Sequence, residues 1–406
     1  MTKYTYTSNS LGIITLLKAV INFTKSGTGR KQFAQKIANF FSIEAESVFL
    51  FASARMGLYT FLKSIDIAES DEVILPGYTC VVVSNAVKYS KAKAVYADIN
   101  IDTLNIDYDD LVSKITDKTK VIVISHNFGL ACEYIEKLKE QYPHIYIIED
   151  CAHTFGSKFQ GRFLGTLADA SFISHEYSKV ITTGMGGTFI LNNKKLLPKF
   201  QMLYSQTDEY DKKDIIKIYI NLFFHTFTSY KYSVWSKGYV FAILKRTKLL
   251  FASGSDELAG MLPEKYPIKL DNFLAYIGAL ELENIDSIIN HNQKLAKEYH
   301  RIFSTIESVK EYYSKETIYV RYPIVLKNNN EFDDIVQKLS LETEFSIGRW
   351  FNDVIHPKGS FRYCYTQGHC QYGEILADSM INFPMSIHVR VEDIQRNEQA
   401  IRKILS

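Results

Sequence analysis

The sequence predicts an α/β fold built around a mostly parallel sheet. Short apolar segments alternate with helix-length stretches through the first half of the chain, which is typical of repeated βαβ units. At 406 residues the chain is longer than a single hydrophobic core usually supports, so we expect a second, smaller domain. The predicted strands are residues 73–75, 94–97, 121–124, 145–148, 170–173 and 188–191.

Helices are predicted before the first strand, because apolar residues recur at helical spacing over residues 11–25 and again over residues 30–41. The C-terminal part mixes helical and extended patterns and indicates an α+β domain. Its expected elements are a helix over 282–303, a strand over 319–326, a helix over 331–341 and a strand over 345–347. We therefore predict a large domain over residues 1–290 and a small domain over residues 291–406.

Residues 211–252 form an unusually apolar helical insertion in the large domain. Lysines at 217, 231, 237 and 245 interrupt its apolar runs, which are shorter than the about 20 residues that span a bilayer. Two interpretations stay open. The insertion is either a pair of helices buried in a subunit interface or an interfacial helix that holds the protein at the cytoplasmic membrane.

Composition excludes several classes of function. Lys and Arg number 47 against 45 Asp and Glu, a net charge of +2, so nucleic acid binding is not indicated. The five cysteines are scattered without paired spacing, so we expect reduced thiols and no metal. We see no signal peptide, since Lys18 interrupts the apolar N-terminal run, and we expect a cytoplasmic protein.

The strongest functional signal is an acid at the end of a predicted strand, followed by a lysine. Asp150 ends an apolar run, and open parallel sheets bind ligands at the carboxyl ends of their strands. Lys179 follows in a Ser-x-x-x-x-Lys segment that leads into a Gly-rich turn. Pyridoxal phosphate needs a carboxylate against its pyridine nitrogen and a lysine that holds its aldehyde as a Schiff base. We therefore predict a pyridoxal phosphate site with Asp150 and Lys179 as catalytic residues.

Other residues are candidates for binding the same cofactor. Ser53 and Arg55 precede or begin a helical run, where backbone N–H groups suit a phosphate. Ser174 is a second candidate hydroxyl, and His153 lies near the ring through its linkage to Asp150. Once a substrate amine displaces Lys179, the freed amine of Lys179 is expected to serve as the general base.

The order of these motifs resembles the sugar aminotransferases of the DegT/StrS type, a branch of the fold-type I pyridoxal enzymes. The matching segments are residues 51–55, 72–80, 97–100, 125–129, the blocks around Asp150 and Lys179, and 393–394. The resemblance implies a homodimer with active sites at the subunit interface. It also implies transfer of an amino group from glutamate to a keto group of a nucleotide-linked sugar, for the biosynthesis of lipopolysaccharide or another surface polysaccharide, or of an antibiotic.

The resemblance also implies roles for single residues. Asp150 is similar to the pyridine-nitrogen partner, Lys179 to the Schiff-base lysine, Ser174 to a phosphate ligand and His153 to a ring contact. Ala54 and Arg55 occupy phosphate-loop positions that the family usually fills with Gly and Thr.

Two departures from the family pattern lie close to the cofactor. Cys80 replaces an aromatic residue that stacks on the ring, so Tyr78 is expected to supply the ring instead. Met185 replaces an acid between the glycines after the lysine, which removes a carboxylate from the edge of the site.

The residues that are expected to contact the substrate are also inferred from the resemblance. Lys265 or Lys269 is expected to replace the Asn and Arg that the family contributes across the interface. Arg349, Trp350 and His356 stand where the family places residues near the sugar-binding mouth, and Arg349 is expected to pair with a phosphate or carboxylate.

Two rival functions stay open beside the aminotransferase. One is a pyridoxamine-dependent sugar dehydratase of the same fold, but those enzymes carry His where this chain has Lys179. The other is a non-catalytic regulatory relative associated with the membrane, which Cys80 and Met185 keep open.

Overall fold

The structure is a computed structural model that describes residues 4–5, 11–22, 27–228, 236–247, 249, 255–328 and 330–406. Its strands are β1 (Tyr4–Thr5), β2 (Val48–Phe51), β3 (Glu72–Pro76), β4 (Thr79–Cys80), β5 (Lys93–Ala97), β6 (Thr119–Ser125), β7 (Tyr146–Asp150), β8 (Lys158–Phe159), β9 (Arg162–Phe163), β10 (Ala170–Ser174), β11 (Gly187–Leu191), β12 (Val309–Glu311), β13 (Arg321–Leu326), β14 (Phe345–Ser346), β15 (Ile355–His356) and β16 (Met380–Pro384).

Helices cover the sheets and connect their strands. They are α1 (Ile13–Ile21), α2 (Gly29–Phe41), α3 (Ala54–Ser64), α4 (Val81–Tyr89), α5 (Tyr108–Ser113), α6 (Ile135–Gln141), α7 (Leu197–Ser205), α8 (Lys212–Phe227), α9 (Lys237–Arg246), α10 (Ser255–Leu258), α11 (Asn272–Glu281), α12 (Ile285–Phe303), α13 (Phe332–Glu342), α14 (Gln371–Ala377) and α15 (Val391–Leu405). The predicted second helix is confirmed as α2. The first is shorter than predicted because α1 ends at Ile21, and residues 23–25 lie outside the described part.

The central sheet has seven strands in the order β2-β11-β10-β7-β6-β3-β5. Strands β10, β7, β6, β3 and β5 are mutually parallel, whereas β11 runs antiparallel to both β10 and β2. The predicted α/β fold with a mostly parallel sheet is confirmed. The six predicted strands all belong to this sheet, and the edge strand β2 was not predicted.

Both faces of the sheet are buried, which explains why its strands are continuous apolar runs. Successive side chains of a strand point to opposite faces. On β6, Ile122 and Ile124 join one apolar cluster, while Val121 and Val123 join a second cluster on the other face.

Parallel register brings the carboxyl ends of three strands to one edge of the sheet. Ser125 of β6 pairs with Asp150 of β7, and Asp150 pairs with Phe172 of β10, two residues before Ser174. The amino end of the antiparallel β11, Gly187, pairs with Ser174 at the same edge. Four chain segments therefore converge there.

The C-terminal part contains the three-stranded antiparallel sheet β12-β13-β16 with its own apolar cluster. Helix α12 bridges the two parts, because Ile288 belongs to the first cluster and Leu295 to the C-terminal one. We propose that the two domains meet within α12, close to the predicted boundary at residue 290.

The N-terminal strand departs from the predicted division. Strand β1 pairs with β14, and the Tyr4 hydroxyl donates a 2.9 Å hydrogen bond to Asp393 of α15. Residues 4–5 therefore pack on the C-terminal part, where β1 and β14 form a separate two-stranded sheet.

The insertion at 211–252 contains α8 and α9, as its helical pattern predicts. Residues 229–235, 248 and 250–254 lie outside the described part. Among the residues that the structure describes, each helix is too short or too polar to cross a bilayer.

Candidate active site

A cavity of about 330 Å³ opens where the strands converge. Its wall combines residues from the central sheet, the start of α3 and the C-terminal part. The predicted site residues that line it are Ala54, Arg55, Cys80, Asp150, His153, Ser174, Lys179, Trp350 and His356.

Asp150 lies at the floor of this cavity as the last residue of β7. The N–H of Ala152 donates a 3.0 Å hydrogen bond to its carboxylate. Burial raises the pKa of Asp150 to about 6, and the charge of Lys179 opposes that rise. The carboxylate would therefore be stabilised by a cationic group bound in the cavity.

Lys179 lies in a loop between β10 and β11 that is held by internal hydrogen bonds. The N–H of His175 bonds to the carbonyl of Gly186 at 2.9 Å, and the Thr183 N–H bonds back to the His175 carbonyl at 3.0 Å. Burial, followed by the charge of Arg321, lowers the pKa of Lys179 to about 8. The loop therefore presents an amine that is partly neutral near physiological pH.

His153 and His356 are both neutral side chains of the cavity wall. Burial, followed by nearby cations, places the pKa of His153 well below its usual range and lowers the pKa of His356 to about 3. The ring of His153 stacks on Phe351 at 5.7 Å between centroids, and its Nδ1 accepts from the Phe128 N–H at 3.3 Å.

Two buried hydroxyls beside the start of α3 lack partners. The hydroxyl oxygens of Ser53 and Thr79 find no hydrogen-bond partner among the described residues. Ser53 is the N-cap of α3, yet its side chain makes no capping bond, so N–H groups of the first turn also stay available. Thr79 and Ser174 line the cavity, whereas Ser53 is buried next to Ala54 and is not part of the lining. This donor set suits a phosphate group.

Gly187 allows α3 to approach the sheet at this point. A Cβ atom at this position would lie 2.1 Å from the backbone nitrogen of Ala54. The absence of a side chain on β11 therefore sets where the helix begins.

Arg55 forms a buried ion pair instead of facing the cavity alone. Its guanidinium donates to both carboxylate oxygens of Glu257 on α10, with the Nε bond at 2.6 Å. Both side chains are largely buried, at 13% and 4% exposure. Sequence reasoning missed Glu257, which lies in an isolated short helix with no motif around it.

Tyr78 differs from its prediction. Its side chain is fully buried outside the cavity lining, and its hydroxyl donates to the carbonyl of Phe351 at 3.0 Å. The ring packs edge-on against Phe351. Tyr78 therefore supports the cavity wall from behind, because its contacts with Phe351 hold it there.

The short parallel ladder of β4 and β15 joins the C-terminal part to the site. Residue His356 pairs with Cys80 in this ladder, and Ile355 pairs with Thr79. The ladder places His356 and the neighbouring Trp350 on the cavity wall. The indole Nε1 of Trp350 is buried and has no hydrogen-bond partner in the described part of the chain.

Arg349 also differs from its prediction. Its guanidinium pairs with Asp333 at 2.8 Å and lies 4.4 Å over the Phe332 ring, outside the cavity lining. The adjacent Trp350 lines the cavity instead.

Arg321 is a second charged residue that sequence reasoning missed. It is fully buried on β13, with its guanidinium 4.1 Å from the centre of the Trp350 ring. The Lys179 amine lies 5.8 Å from the same ring. The available signal was an arginine inside a predicted strand that is otherwise apolar.

The buried cluster of His126, Glu149 and Cys151 has donor atoms within 4.8 Å of one another, as in a metal site. The carboxylate oxygens of Glu149 are already engaged in hydrogen bonds, however. Glu149 accepts from the N–H groups of Gly165, Leu167 and Ala168 and pairs with His126 at 3.0 Å. The cluster therefore supports the floor below Asp150.

The remaining predicted positions lie away from the cavity. Lys265 pairs with Asp211 at 2.6 Å, and the Lys269 amine donates to the Ser205 carbonyl at 3.1 Å. Met185 is buried in the apolar cluster beneath the lysine loop.

Comparison with known proteins agrees with this geometry. The family model of the DegT/DnrJ/EryC1/StrS aminotransferases matches residues 14–223 and 245–402. The GDP-perosamine synthase of Escherichia coli O157:H7 is 37% identical over 147 residues, which span 36% of this chain and 40% of that protein. The L-glutamine:2-deoxy-scyllo-inosose aminotransferase of Streptomyces kanamyceticus is 34% identical over 178 residues, 43% of this chain and 41% of that protein.

Solved structures share the fold over the full chain. The aminotransferase TlmJ of Streptoalloteichus hindustanus has a TM-score of 0.74 at 19% identity, covering 99% of this chain and 98% of its own. Helicobacter pylori PseC, an aminotransferase involved in pseudoaminic acid biosynthesis, has a TM-score of 0.74 at 18% identity and covers 99% of both chains. The chain belongs to the DegT/DnrJ/EryC1/StrS aminotransferase family.

Proposed function

We propose that this chain is a pyridoxal phosphate-dependent aminotransferase that moves an amino group from glutamate to a keto group of a nucleotide-activated sugar. The product would serve surface polysaccharide biosynthesis. One observation carries the proposal: a partly buried carboxylate with a raised pKa, Asp150, and a buried amine with a lowered pKa, Lys179, line the same cavity.

The cavity residues fit the cofactor in charge and in hydrogen bonding. Asp150 would hold the protonated pyridine nitrogen, and pairing would offset the burial that raises its pKa. The unpartnered hydroxyls of Ser53 and Thr79, with Ser174 and the first turn of α3, would hold the phosphate. When bound, pyridoxal phosphate supplies an electron sink for the carbon that carries the amino group.

Lys179 would attach the cofactor and then move a proton. With a pKa of about 8, its amine is neutral in a useful fraction of molecules at physiological pH. Burial keeps water away from that amine, and the hydrogen-bonded loop holds it in place. The amine therefore suits a general base that removes a proton from the donor and returns one to the acceptor.

The sugar side of the site would use the C-terminal wall. His356 is neutral there, so it offers a hydrogen bond without a charge. The buried Nε1 of Trp350 lacks a partner in the described chain and suits an oxygen acceptor of a substrate. We propose that these two side chains contact the sugar.

We further propose that the active form is a cytoplasmic homodimer whose subunits complete each other's sites. The family resemblance supports this proposal, and Lys265 or Lys269 would then reach the partner's site. Sedimentation of the purified protein tests it, and a monomer that is fully active would contradict it.

The function is tested by a half-reaction without sugar. We expect the protein loaded with pyridoxal phosphate to release about one equivalent of 2-oxoglutarate per site from L-glutamate. L-Glutamine should be tested beside it, because it is the donor in the name of the Streptomyces relative. Absence of the keto-acid product from both donors would refute the proposal.

Lys179→Ala provides the matched control for this half-reaction. The variant should still bind the cofactor through Asp150 and the phosphate-binding residues, measured by equilibrium dialysis, but it should release no keto acid. Normal turnover by Lys179→Ala would refute the assignment. Mass analysis of the sugar product distinguishes amination from the dehydration that the rival enzyme would catalyse.

A further inference from the structure

Helices α1 and α8 present apolar side chains to solvent along one surface. We call this surface the α1–α8 face and define it by Ile14, Leu17, Val20, Ile21, Ile216, Ile220, Phe223 and Phe227. Val20 of α1 and Phe223 of α8 are 56% and 48% exposed and line the same apolar groove. The groove shows that both helices contribute to a single surface.

The exposed side of α8 is regular. Residues 216, 220, 223 and 227 recur at helical spacing and form one stripe, whereas Ile218 and Leu222 face the core. Packing against the core explains why Ile218 and Leu222 are apolar, but it does not explain the apolar residues of the exposed stripe. A contiguous apolar surface of this kind marks an interaction site rather than an ordinary exterior.

Basic residues border the same surface. Lys212 and Lys213 lie one turn before Ile216 and continue its stripe, and Lys18 lies beside Leu17 on α1. Helices α1 and α8 together carry four Lys residues and one Asp, a net charge of +3. The whole chain has a net charge of +2, so the rest of the molecule is acidic on balance.

This concentration of positive charge selects among the possible occupants. A second copy docking through the same face would bring two such basic surfaces together, because a two-fold interface is isologous. An anionic surface instead complements the lysines while the apolar stripe is buried. Helix α8 has 16 residues, about 24 Å, and is too short and too polar to span a bilayer, but it can lie in the interfacial plane.

We propose that the α1–α8 face docks the protein onto a membrane surface that contains anionic lipids. The apolar stripe enters the boundary between headgroups and acyl chains, and the lysines contact the lipid phosphates. This proposal concerns a surface outside the active-site cavity and does not depend on the proposed reaction.

Vesicle sedimentation tests the proposal on the full-length protein. We expect binding to phosphatidylcholine vesicles that contain roughly one third phosphatidylglycerol, weaker binding to phosphatidylcholine alone, and release at high salt. Equal binding to both kinds of vesicle, or binding to neither, would overturn the proposal.

Two pairs of variants locate the contact. Lys212→Gln with Lys213→Gln should lower the partition coefficient about 25-fold, since each basic residue near an anionic surface contributes about fivefold. The control pair, Lys294→Gln with Lys297→Gln on the exposed side of α12, should leave binding unchanged. Equal losses from both pairs would show attraction by overall charge and would overturn the assignment to this face.

Ile216→Gln with Phe223→Gln tests the apolar stripe. Leu341→Gln with Ile375→Gln is its control, because those side chains are 65% and 47% exposed, against 55% and 48% for the test pair. We expect only the first pair to lose vesicle binding, about tenfold or more. If the wild-type protein is a dimer that does not bind vesicles, and Ile216→Gln with Phe223→Gln dissociates that dimer, the face is a subunit interface and the proposal is wrong. The lysine variants keep the test valid if the apolar pair does not fold.

Discussion

Replacing Arg321 by Gln is expected to raise the pKa of the Lys179 amine. Burial is the main cause that lowers this pKa from 10.5 to about 8, and the positive charge of Arg321 is the next. Arg321→Gln removes the charge from β13 while the amine stays buried. The pKa should therefore rise but remain below that of an ordinary lysine.

The effect on reactivity is large. At pH 7.5 an amine with a pKa of 8 is about 24% neutral, whereas one with a pKa of 10.5 is about 0.1% neutral. The cavity therefore increases the reactive fraction roughly 240-fold. If the substitution raises the pKa to about 9, the neutral fraction falls to about 3%, an eightfold loss.

Carbamylation of the cofactor-free protein by cyanate measures this pKa, because cyanate is small and reacts with neutral amines. Mass spectrometry of the peptide that contains Lys179 gives the rate at each pH. We expect the carbamylation rate of the wild type to have its pH midpoint near 8. The midpoint should be higher for Arg321→Gln and the same as in the wild type for Arg321→Lys. Arg349→Gln is the matched control, since Arg349 is held by Asp333 outside the cavity. A wild-type midpoint near 10.5, or no change in Arg321→Gln, would refute the reasoning.

Three further predictions follow from buried groups of the site. Lys179→Met should stabilise the cofactor-free protein at pH 7 by up to about 3 kcal/mol, because the folded wild type binds its proton more weakly than the unfolded chain. Chemical unfolding should show this gain shrinking as the pH rises from 8 towards 10.5, and a gain independent of pH would contradict it. Glu149→Gln should cost about 3 kcal/mol in urea unfolding, because an amide nitrogen cannot accept the N–H bonds that the carboxylate accepts; a loss below about 1 kcal/mol would contradict this account. Gly187→Ala should weaken binding of pyridoxal phosphate about 100-fold in equilibrium dialysis, since its Cβ displaces the start of α3. Gly238→Ala, which meets nothing within 4 Å, is the control, and equal affinities would refute the argument.

The sequence by itself determined the sheet and the two central groups of the site. Apolar runs and helical spacing are local properties, so the six predicted strands and α2 could be located without long-range information. The acid at the end of β7 and the lysine in the loop after β10 could be located from the same local patterns. Parallel strands bring their carboxyl ends to one edge, and both residues do line one cavity there.

Only the tertiary structure decided which neighbouring side chains face the cavity. Tyr78 and Arg349 lie beside motif residues in the sequence, yet neither lines the cavity, whereas Cys80 and Trp350 do. Tyr78 is held by the Phe351 carbonyl and Arg349 by Asp333, and a local sequence pattern does not reveal such contacts with other segments.

Contacts between residues that are far apart in the chain could likewise not be predicted from the sequence. Arg321 reaches the site through a strand of the C-terminal sheet, and Glu257 pairs with Arg55 across about 200 residues of chain. The strand at residues 4–5 joins the C-terminal part through β14 and Asp393. Such pairings depend on the packing of distant segments, which a local pattern does not encode, whereas the placement of Asp150 and Lys179 needed only the end of a strand and the loop that follows.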